Sequence, residues 1–338
     1  MLTHLNHSPT KPARAVILGA RGFVSTYLQS WCKRNKVPFL AISSDEVDLT
    51  RIANAPRLAA LLDPKDAVVM TSSIQPDKGR DYHALMANLR MVETACMALE
   101  AAPCAQFICL SSDAVYDASK IPLDEDSTRE PVDIYGLSHV AREMIVSSAL
   151  GQQNLPVCIL RITAIYGPGD THNGYGPNRF VRSAIKEGRI VLFGRGEERR
   201  SHVYIDDVAE IIGRCLRWRS AGKLNVAVRQ ALSYKEIAEE AVRLVGGPVE
   251  ITYAPRTVPI VHKPYKPTQV FRFLYNLGRP ISPIVHRTFV NSALFAAFPD
   301  FKFTPFEAGL AAFVASERDR MSGETSANVN EGIGMVRS

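Results

Sequence analysis

The sequence predicts an α/β protein whose larger part is a doubly wound parallel sheet, followed in the chain by a smaller part. Short apolar stretches of strand length alternate with longer segments of helical periodicity through the first half of the chain. A turn rich in glycine joins the first of these strands to the first helix. Alternation at this spacing is typical of parallel strands joined by right-handed crossovers.

The predicted elements follow a regular order up to residue 170. We predict strands at residues 15–18, 37–43, 66–73, 106–111 and 156–162. Apolar periodicity predicts long helices at residues 82–100 and 131–150. Beyond residue 170 the alternation loosens, and the predicted elements are short strands at 190–193 and 203–205, a helix at 207–217 and a further sheet strand at 223–228.

The turn after the first strand is the first candidate binding site. It consists of Gly19, Ala20, Arg21 and Gly22, and the helix after it opens with Phe23 and Val24. Glycines allow the backbone to approach a pyrophosphate, which free N–H groups at the helix N-terminus then bind. The spacing is G-x-x-G-x-x-S rather than G-x-G-x-x-G, so a plain strand-to-helix turn is the alternative interpretation.

The choice between NAD and NADP depends on the end of the second strand. An acidic residue at that point often binds the ribose 2′-hydroxyl of NAD. Here Ser43 and Ser44 occupy the position, although Asp45 follows closely. Arg21 in the glycine turn is suited to meet a 2′-phosphate. The sequence therefore predicts NAD or NADP, with a slight preference for NADP.

These patterns divide the chain into parts. We predict a Rossmann-type NAD(P)-binding domain at residues 12–170, with a segment near 203–228 that returns to it. The substrate-binding part, a smaller C-terminal α/β domain, is predicted at 171–202 and 229–320. The polar tails at 1–11 and 322–338 are predicted to be disordered.

Composition argues against several functional classes. The 338 residues carry a net charge of +6, but the basic residues are spread along the chain, which suits an anionic substrate better than nucleic acid. The six cysteines show no C-x-x-C spacing, so we predict free buried thiols and no metal site. The sequence has no apolar run of 18 residues and no secretory leader, which predicts a cytoplasmic protein without a membrane span.

Three residue types suited to hydride-transfer chemistry are expected to converge. Tyr135 and His139 are four residues apart and so share one helix face. Ser112 follows the fourth strand, at the edge where open parallel sheets bind ligands. Beside a nicotinamide ring, the phenol would pass a proton while the serine hydrogen-bonds the reacting oxygen.

These and further motifs resemble the extended short-chain dehydrogenase/reductase family, which includes nucleotide-sugar epimerases, dehydratases and reductases. The resemblance covers roughly residues 15–310. The matching residues, in chain order, are Gly19, Gly22, Asp48, Leu49, Asn88, Ser111, Ser112, Asp113, Ala114, Val115, Tyr116, Pro131, Tyr135, Gly136, Ser138, Glu143, Leu160, Arg161, the run 165–170, Gly194, Gly196, Arg200 and the run 205–207.

The resemblance implies roles for several positions. Asp48 and Leu49 would contact the adenine, and Asn88 would lie near the cofactor. Ser72 joins this set because small residues end the third strand, where a ligand would lie. The predicted substrate-binding residues are Asp113, Tyr116, Thr163, Arg200 and Arg287. Among them, Arg200 is the best candidate for an anionic group, because a guanidinium meets phosphate oxygens with two donors.

Departures from the family pattern put the chemistry in question. His139 stands where the family has the lysine of Y-x-x-x-K. A lysine about 4 Å from the phenol contributes up to about 4 kcal/mol, or about three pKa units, and a neutral histidine supplies little of this. His139 therefore acts as a working substitute, or the enzyme is slow, or the chain has lost catalysis and kept binding.

Other departures narrow the reaction. Ala114 replaces the glutamate of the family's 4,6-dehydratases, Ala164 replaces a substrate-contacting asparagine, and Ser201 replaces an aspartate. Dehydration is thus disfavoured. We expect NAD(P)-dependent epimerisation or ketone reduction of a nucleotide-linked sugar, with Ser112, Tyr135 and His139 as catalytic residues. A non-catalytic nucleotide-binding or regulatory protein is the alternative. By resemblance, polysaccharide precursor synthesis and a homodimer are also implied.

Overall fold

A seven-stranded sheet forms the centre of the larger part. The computed structural model describes residues 2–117, 120–151, 153–255 and 284–334, with side chains to residue 322. The strands are β1 (Leu2–His4), β2 (Arg14–Leu18), β3 (Phe39–Ile42), β4 (Asp66–Met70), β5 (Gln106–Ser112), β6 (Val157–Ile162), β7 (Ala164–Tyr166), β8 (Arg189–Phe193), β9 (Arg199–Arg200), β10 (His202–Tyr204), β11 (Ser220–Val226), β12 (Leu232–Ser233) and β13 (Glu250–Ala254).

The order across the sheet confirms the predicted Rossmann-type doubly wound class. It runs β1-β11-β6-β5-β4-β2-β3, with β1 antiparallel and the other six strands parallel. The helices are α1 (Phe23–Arg34), α2 (Ala55–Ala59), α3 (Tyr82–Ala101), α4 (Ile134–Leu150), α5 (Pro177–Glu187), α6 (Ile205–Arg217), α7 (Tyr234–Val245), α8 (Ser292–Ala297) and α9 (Phe306–Gly334).

Helices cover both faces of the sheet. Ile17 of β2 packs in one core with α1 and α6, whereas Val16 and Leu18 pack in the other with α2, α3 and α4. Strands buried on both faces need apolar residues at every position, which explains the unbroken apolar run of β2. On the first face, α1 and α6 meet where Gly213 lies directly against the ring of Trp31.

The chain reverses its direction of travel across the sheet at β2. The strand before the reversal, β3, pairs on one side of β2, and β4 pairs on the other. At such a switch point the loops after neighbouring strands diverge and leave a crevice at their carboxyl ends. The turn at residues 19–22 and the residues after β4 therefore open into one crevice.

A smaller set of strands and helices, mostly later in the chain, forms a core of its own. Strands β8 and β13 pair in parallel, and β9 pairs with β12. Helices α5, α7 and α9 share a core that includes Phe180, Ile237 and Phe313. Between these elements the chain returns to the large part, where β11 pairs with β6. No helix in the described ranges combines the length and apolar character needed to span a membrane. All six cysteines are buried and free, as predicted.

The terminal segments differ from the sequence-based prediction. Residues 2–4, predicted to be disordered, form β1 at the edge of the sheet. The reason is His4, whose ring stacks on Trp218 and whose Nε2 donates to the Ala297 carbonyl at 2.9 Å. At the other end, where residues 322–338 are predicted to be disordered, the backbone of α9 continues to Gly334, and residues 335–338 lie outside the described residues.

We expect His4→Ala to lower the free energy of unfolding by about 2 kcal/mol, because it removes two hydrogen bonds that are partly shielded from water. These bonds join the His4 ring to the Ser220 hydroxyl and the Ala297 carbonyl. Denaturant unfolding followed by circular dichroism measures the change. The matched control is His7→Ala, at an exposed position in the same segment. Equal stabilities of the two variants would contradict an anchored N-terminal strand.

Candidate active site

The carboxyl ends of three neighbouring strands bring the predicted chemistry together. The glycine turn follows β2, Ser72 follows β4 and Ser112 ends β5. Helix α4 begins beyond β5 with Asp133 as its N-cap, whose side chain accepts a hydrogen bond from the Gly136 amide at 2.8 Å. This start places Tyr135 in the first turn of the helix, over the same sheet edge.

A cavity of about 310 Å³ opens over the glycine turn. Several residues predicted to hold a dinucleotide line it: Gly19, Ala20, Arg21, Gly22, Asp48, Leu49 and Ser72. Gly19 has a φ of +102°, and a Cβ there would come within 2.8 Å of the Ser72 hydroxyl. The close approach of two loops thus requires glycine at this position.

The N-terminus of α1 is suited to an anion. Its N-cap, Gly22, has no side chain to satisfy the first amides, and the first turn holds no acidic residue. Phe23 packs edge-on against Tyr27, and Val24 packs on the core, so these two residues offer the cavity their backbone amides only. Free amides and the helix dipole favour a pyrophosphate here.

Arg21 lies at the outer end of the cavity, beside the end of β3. Its guanidinium donates to Asp45 Oδ2 at 2.6 Å and to the Ser44 hydroxyl at 2.9 Å. The exposed Arg21 side chain can therefore turn toward a 2′-phosphate, while Asp45 is available to accept from a 2′-hydroxyl. This geometry suits both forms of the cofactor.

Two residues predicted to contact the cofactor, Asn88 and Asp48, form hydrogen bonds that fix the loops beside the cavity. Both ends of the Asn88 amide bind the backbone of Ile74, with Oδ1 accepting at 2.7 Å and Nδ2 donating at 3.2 Å. Asn88 therefore holds the loop after β4, and its predicted place near the cofactor stays a prediction. One oxygen of Asp48 accepts from the amide and hydroxyl of Thr50 and fixes the loop that carries Leu49.

The spacing between Tyr135 and Ser112 is set by a close contact of α4. A Cβ on Gly136 would overlap the carbonyl oxygen of Ala114, so only glycine lets the helix approach the turn after β5 so closely. The Tyr135 hydroxyl donates to Gln75 Oε1 at 3.1 Å. Burial raises the pKa of Tyr135 to about 12, against the lowering effect of hydrogen bonding by Ser112. The phenol is thus protonated at neutral pH.

A buried ion pair anchors the middle of α4. Arg161 of β6 donates from Nε and Nη2 to the Glu143 carboxylate at 2.9 and 2.7 Å, and the Ser111 hydroxyl donates to it at 2.6 Å. Burial acts to raise the pKa of Glu143, but the Arg161 guanidinium outweighs it and the pKa is lowered. The pair holds α4 against β5 and β6.

His139 is the most unusual group at the site. It is 3% exposed, and neither ring nitrogen has a hydrogen-bond partner among the described residues. The ring meets Tyr135 edge to face, with centroids 4.7 Å apart. Burial, with a smaller effect of the Arg142 charge, lowers the pKa of His139 well below its usual value. His139 is therefore neutral at physiological pH.

Five orphaned polar atoms cluster below the sheet edge. In the described part of the chain, Ser72 Oγ, both ring nitrogens of His139, and Nε and Nη1 of Arg142 are buried without partners. Buried polar groups usually have partners, so such a cluster indicates groups that a ligand or its ordered water would satisfy. Together with the glycine cradle and the uncapped helix, these residues fit a dinucleotide.

Sequence reasoning missed Arg142 and Gln75. Arg142 lies seven residues after Tyr135 and three after His139, so helical periodicity alone places all three on one face. Gln75 has no such signature, since its contact with Tyr135 depends on the path of the loop after β4.

Three predicted substrate residues form a second cluster beyond Ser112. Arg287 is buried and donates from Nη1 to the Asp113 carbonyl at 2.8 Å, and its Nη1 lies 3.6 Å from Asp113 Oδ2. Its backbone bridges to that of Arg200, whose half-buried side chain donates to Glu198 at 2.6 Å. Two guanidinium groups and one carboxylate thus lie next to each other.

The other two predicted substrate residues lie elsewhere. Tyr116 is completely buried, with its hydroxyl donating to Asn225 at 2.7 Å and accepting from Arg161 at 2.7 Å. The side chain at this motif position faces the interior, and a substrate role for Tyr116 stays a prediction. Thr163 is also buried, and its hydroxyl donates to the Val226 carbonyl at 3.2 Å. Both hydroxyls therefore bind groups in the interior of the protein.

Comparison with known proteins adds independent findings. The model of the NAD dependent epimerase/dehydratase family matches residues 15–227. The chain is 29% identical over 142 residues to the dTDP-D-glucose 4,6-dehydratase of Homo sapiens, a stretch that covers 41% of this chain and 40% of that relative. The match thus spans well under half the length of that curated protein.

Solved structures share the whole fold. A GDP-L-fucose synthetase from Naegleria fowleri bound to NADP superposes with a TM-score of 0.74 at 15% identity, covering 94% of this chain and 98% of the other. A Thermus thermophilus UDP-glucose 4-epimerase in complex with NAD gives 0.71 at 17%, covering 90% and 99%. A UDP-N-acetylglucosamine 4-epimerase from Methanobrevibacter ruminantium, in complex with UDP-N-acetylmuramic acid, gives 0.72 at 18%, covering 92% and 100%.

The lowered pKa of His139 predicts a loss of stability in acid. Below about pH 6.5 the unfolded chain binds a proton at this histidine, whereas the folded chain does not, so stability falls as pH decreases. Between pH 7.5 and 5 the loss for one such group is about 2 kcal/mol. Denaturant unfolding at these two pH values should show a loss smaller by this amount in His139→Gln.

A second buried histidine allows an internal comparison. Burial lowers the pKa of His202 to about 3, so His202→Gln should reduce the acid-induced loss by a similar amount. If both variants lose as much stability as the wild type, the assignment of neutral buried rings is contradicted.

Proposed function

Because the chain belongs to the NAD dependent epimerase/dehydratase family, we propose that it binds NAD or NADP and catalyses hydride transfer at a ring carbon of a nucleotide-linked sugar. The reaction is an epimerisation or a ketone reduction. The observation that carries this proposal is the placement of Tyr135 and Ser112 at one sheet edge, directly beside the orphaned polar atoms of Ser72 and His139.

The chain's own residues divide the work of holding the cofactor. The uncapped N-terminus of α1 and the turn at residues 19–22 would bind the pyrophosphate, and Arg21 or Asp45 the ribose at the adenine end. Ser72 and neutral His139 would hydrogen-bond the other ribose. When bound, NAD or NADP supplies the hydride acceptor or donor.

Tyr135 and Ser112 handle the proton. With its pKa raised to about 12, the phenol is protonated at neutral pH and donates its proton to the sugar oxygen in the direction of reduction. In the opposite direction it takes the proton back. The Ser112 hydroxyl, held by the Ala114 amide at 3.2 Å, hydrogen-bonds the same oxygen as charge develops on it.

The arginine cluster fits the nucleotide side of the substrate. Arg200 and Arg287 offer two guanidinium groups for a diphosphate, and Asp113 lies between them and Ser112, where it can accept from a sugar hydroxyl. One solved relative is described as binding UDP-glucose with NAD, and another as binding UDP-N-acetylmuramic acid. A nucleoside diphosphate sugar is therefore the substrate class we propose.

We do not propose for this chain the 4,6-dehydratase activity for which its curated relatives are named. Ala114 lies in the short turn Asp113–Val115, next to Ser112, and has no group that could move a proton at the sugar. Loss of water across two sugar carbons needs an acid and a base there. We therefore propose redox chemistry at one carbon without dehydration.

A non-catalytic nucleotide-binding protein is the second candidate. The specific observation in its favour is the neutral, fully buried ring of His139 at the position of the family's lysine. Retention of Ser112, Tyr135 and the arginine cluster supports the enzyme instead. The two candidates differ in turnover and not in nucleotide binding.

Calorimetric titration with NAD⁺, NADH, NADP⁺ and NADPH should show binding of at least one pair. We expect Arg21→Ala to weaken only the NADP pair, by about tenfold, since it removes the guanidinium that lines this end of the cavity in the described structure. Arg57→Ala, an exposed arginine on α2, is the control. Absence of binding to all four dinucleotides would contradict the proposal.

Tyr135→Phe should lower turnover at least 100-fold while leaving dinucleotide affinity within about twofold, because only the transferable proton is lost. Epimerisation of UDP-glucose, UDP-N-acetylglucosamine and dTDP-glucose is followed by chromatography of the sugar nucleotides, and ketone reduction by the absorbance of the reduced nicotinamide with a nucleotide-linked 4-ketosugar. Tyr253→Phe, exposed on β13, is the matched control. Unchanged turnover in Tyr135→Phe would rule out this mechanism.

A further inference from the structure

Arg142 is a buried guanidinium that the proposed mechanism leaves without a task. It is 1% exposed and lies on α4, on the same face as Tyr135 and His139. Nη2 donates to the Ser72 carbonyl at 2.8 Å, while Nε and Nη1 have no partner in the described structure. The Ser72 carbonyl and a hydrogen bond with the Cys109 thiol satisfy only part of the five N–H donors of the guanidinium.

The contrast with Arg161 shows how unusual this arrangement is. Both arginines are completely buried, but Arg161 forms a two-pronged ion pair with Glu143. No carboxylate of the described residues lies within 4.0 Å of the Arg142 guanidinium. A buried charge without a counter-ion is costly, so its retention calls for a reason other than stability.

The surroundings of Arg142 direct its charge toward the reacting phenol. Its bond to the backbone reaches the strand end that lines the dinucleotide cavity, at Ser72. Its charge also acts on the phenol of Tyr135 and the ring of His139, lowering the pKa of both. The other groups around Arg142 are the thiols of Cys96 on α3 and Cys109 on β5. Burial raises the pKa of both thiols, against a lowering effect of the Arg142 charge and, at Cys109, of a hydrogen bond with Arg142.

Resting on the function proposed above, we propose that Arg142 is the fixed cation of this active site. It positions the Ser72 carbonyl and stabilises the phenolate form of Tyr135 when the proton leaves. The role that one lysine fills in the Y-x-x-x-K motif is divided here. Neutral His139 supplies hydrogen bonds at the motif position, and Arg142 supplies the charge one turn further along α4.

This division also explains why position 139 is not lysine. A lysine there would place a second cation beside Arg142 in a pocket with no counter-ion among the described residues. Like charges in a buried site destabilise each other. The histidine, neutral at physiological pH, avoids this repulsion and still carries one donor and one acceptor.

The first test measures the acidity of the phenol without needing turnover. A difluorotyrosine placed at position 135 has a more acidic phenol, and its fluorine NMR signal reports its own titration. We expect Arg142→Gln to raise the pKa of this phenol by about one unit, the effect of a charge about 10 Å away at an effective dielectric near 20. Arg142→Lys should raise it by less than half as much.

The choice of variants separates charge from structure. Glutamine keeps amide donors for the Ser72 carbonyl but carries no charge, whereas lysine keeps the charge and loses the planar fork. Asp113, from the turn after β5, is the carboxylate that raises the pKa of Tyr135, and it is unchanged in every variant. An unchanged titration in Arg142→Gln, or equal shifts in the glutamine and lysine variants, would overturn the proposal.

A stability cycle tests the same assignment if Arg142→Gln folds poorly. We expect His139→Lys to melt several degrees below the wild type, and His139→Lys/Arg142→Gln to melt above His139→Lys, because only one cation then remains. A His139→Lys variant as stable as the wild type would count against the proposal.

Dinucleotide binding by the wild type with no change in the titration would leave the proposed function standing and remove the role of Arg142. A titration that changes in Arg142→Gln, without dinucleotide binding by the wild type, would remove the proposed function and leave the effect of the Arg142 charge on Tyr135 standing.

Discussion

The buried ion pair between Glu143 and Arg161 is the interaction on which the site depends. It ties the middle of α4 to β6, and Ser111 extends the tie to β5. Loss of one partner in such a pair costs about 3–5 kcal/mol, because the other charge is left buried and uncompensated. The glycine contact at the start of α4 then fixes how closely Tyr135 approaches the sheet edge. The chemistry is therefore positioned by a part of α4 that does not touch it.

Much of the fold could be predicted from local pattern. The apolar runs, the glycine turn and the helical periodicities lie where the strands and helices are found, because burial on both faces of a parallel sheet leaves a strong periodic record. The edge strand β1 was missed, since three residues with one histidine carry no period. Its order depends on contacts of His4 with Trp218 and Ala297, more than 200 residues away.

The site could be predicted only in part. Motifs identified the glycine turn, Ser112 and Tyr135, because phosphate binding and proton transfer restrict the residue types at those positions. They did not show that the polar groups of Tyr116 and Asn88 bind partners in the interior and in a loop, because burial decides this and the sequence does not display it. The motif also includes the position of His139 but not that of Arg142, so it does not predict the cation on the same helix face.

The side chains at the site differ in which of them are neutral and which are charged. The phenol is kept neutral by burial, the histidine is kept neutral by burial and by the nearby arginine, and the one cation at the helix face is unpaired in the described structure. Such an arrangement favours a proton donor at neutral pH, which suits the reduction of a ketone or the return step of an epimerisation.

Isotope transfer tests the central claim most directly. The protein is incubated with NADH or NADPH that carries deuterium at the reactive carbon of the nicotinamide, together with a nucleotide-linked 4-ketosugar, and the sugar is analysed by mass spectrometry. Hydride transfer predicts one deuterium on a ring carbon of the product, for an epimerase and a reductase alike. A sugar that gains no label while the dinucleotide is bound would contradict the account and leave a nucleotide-binding protein without catalysis.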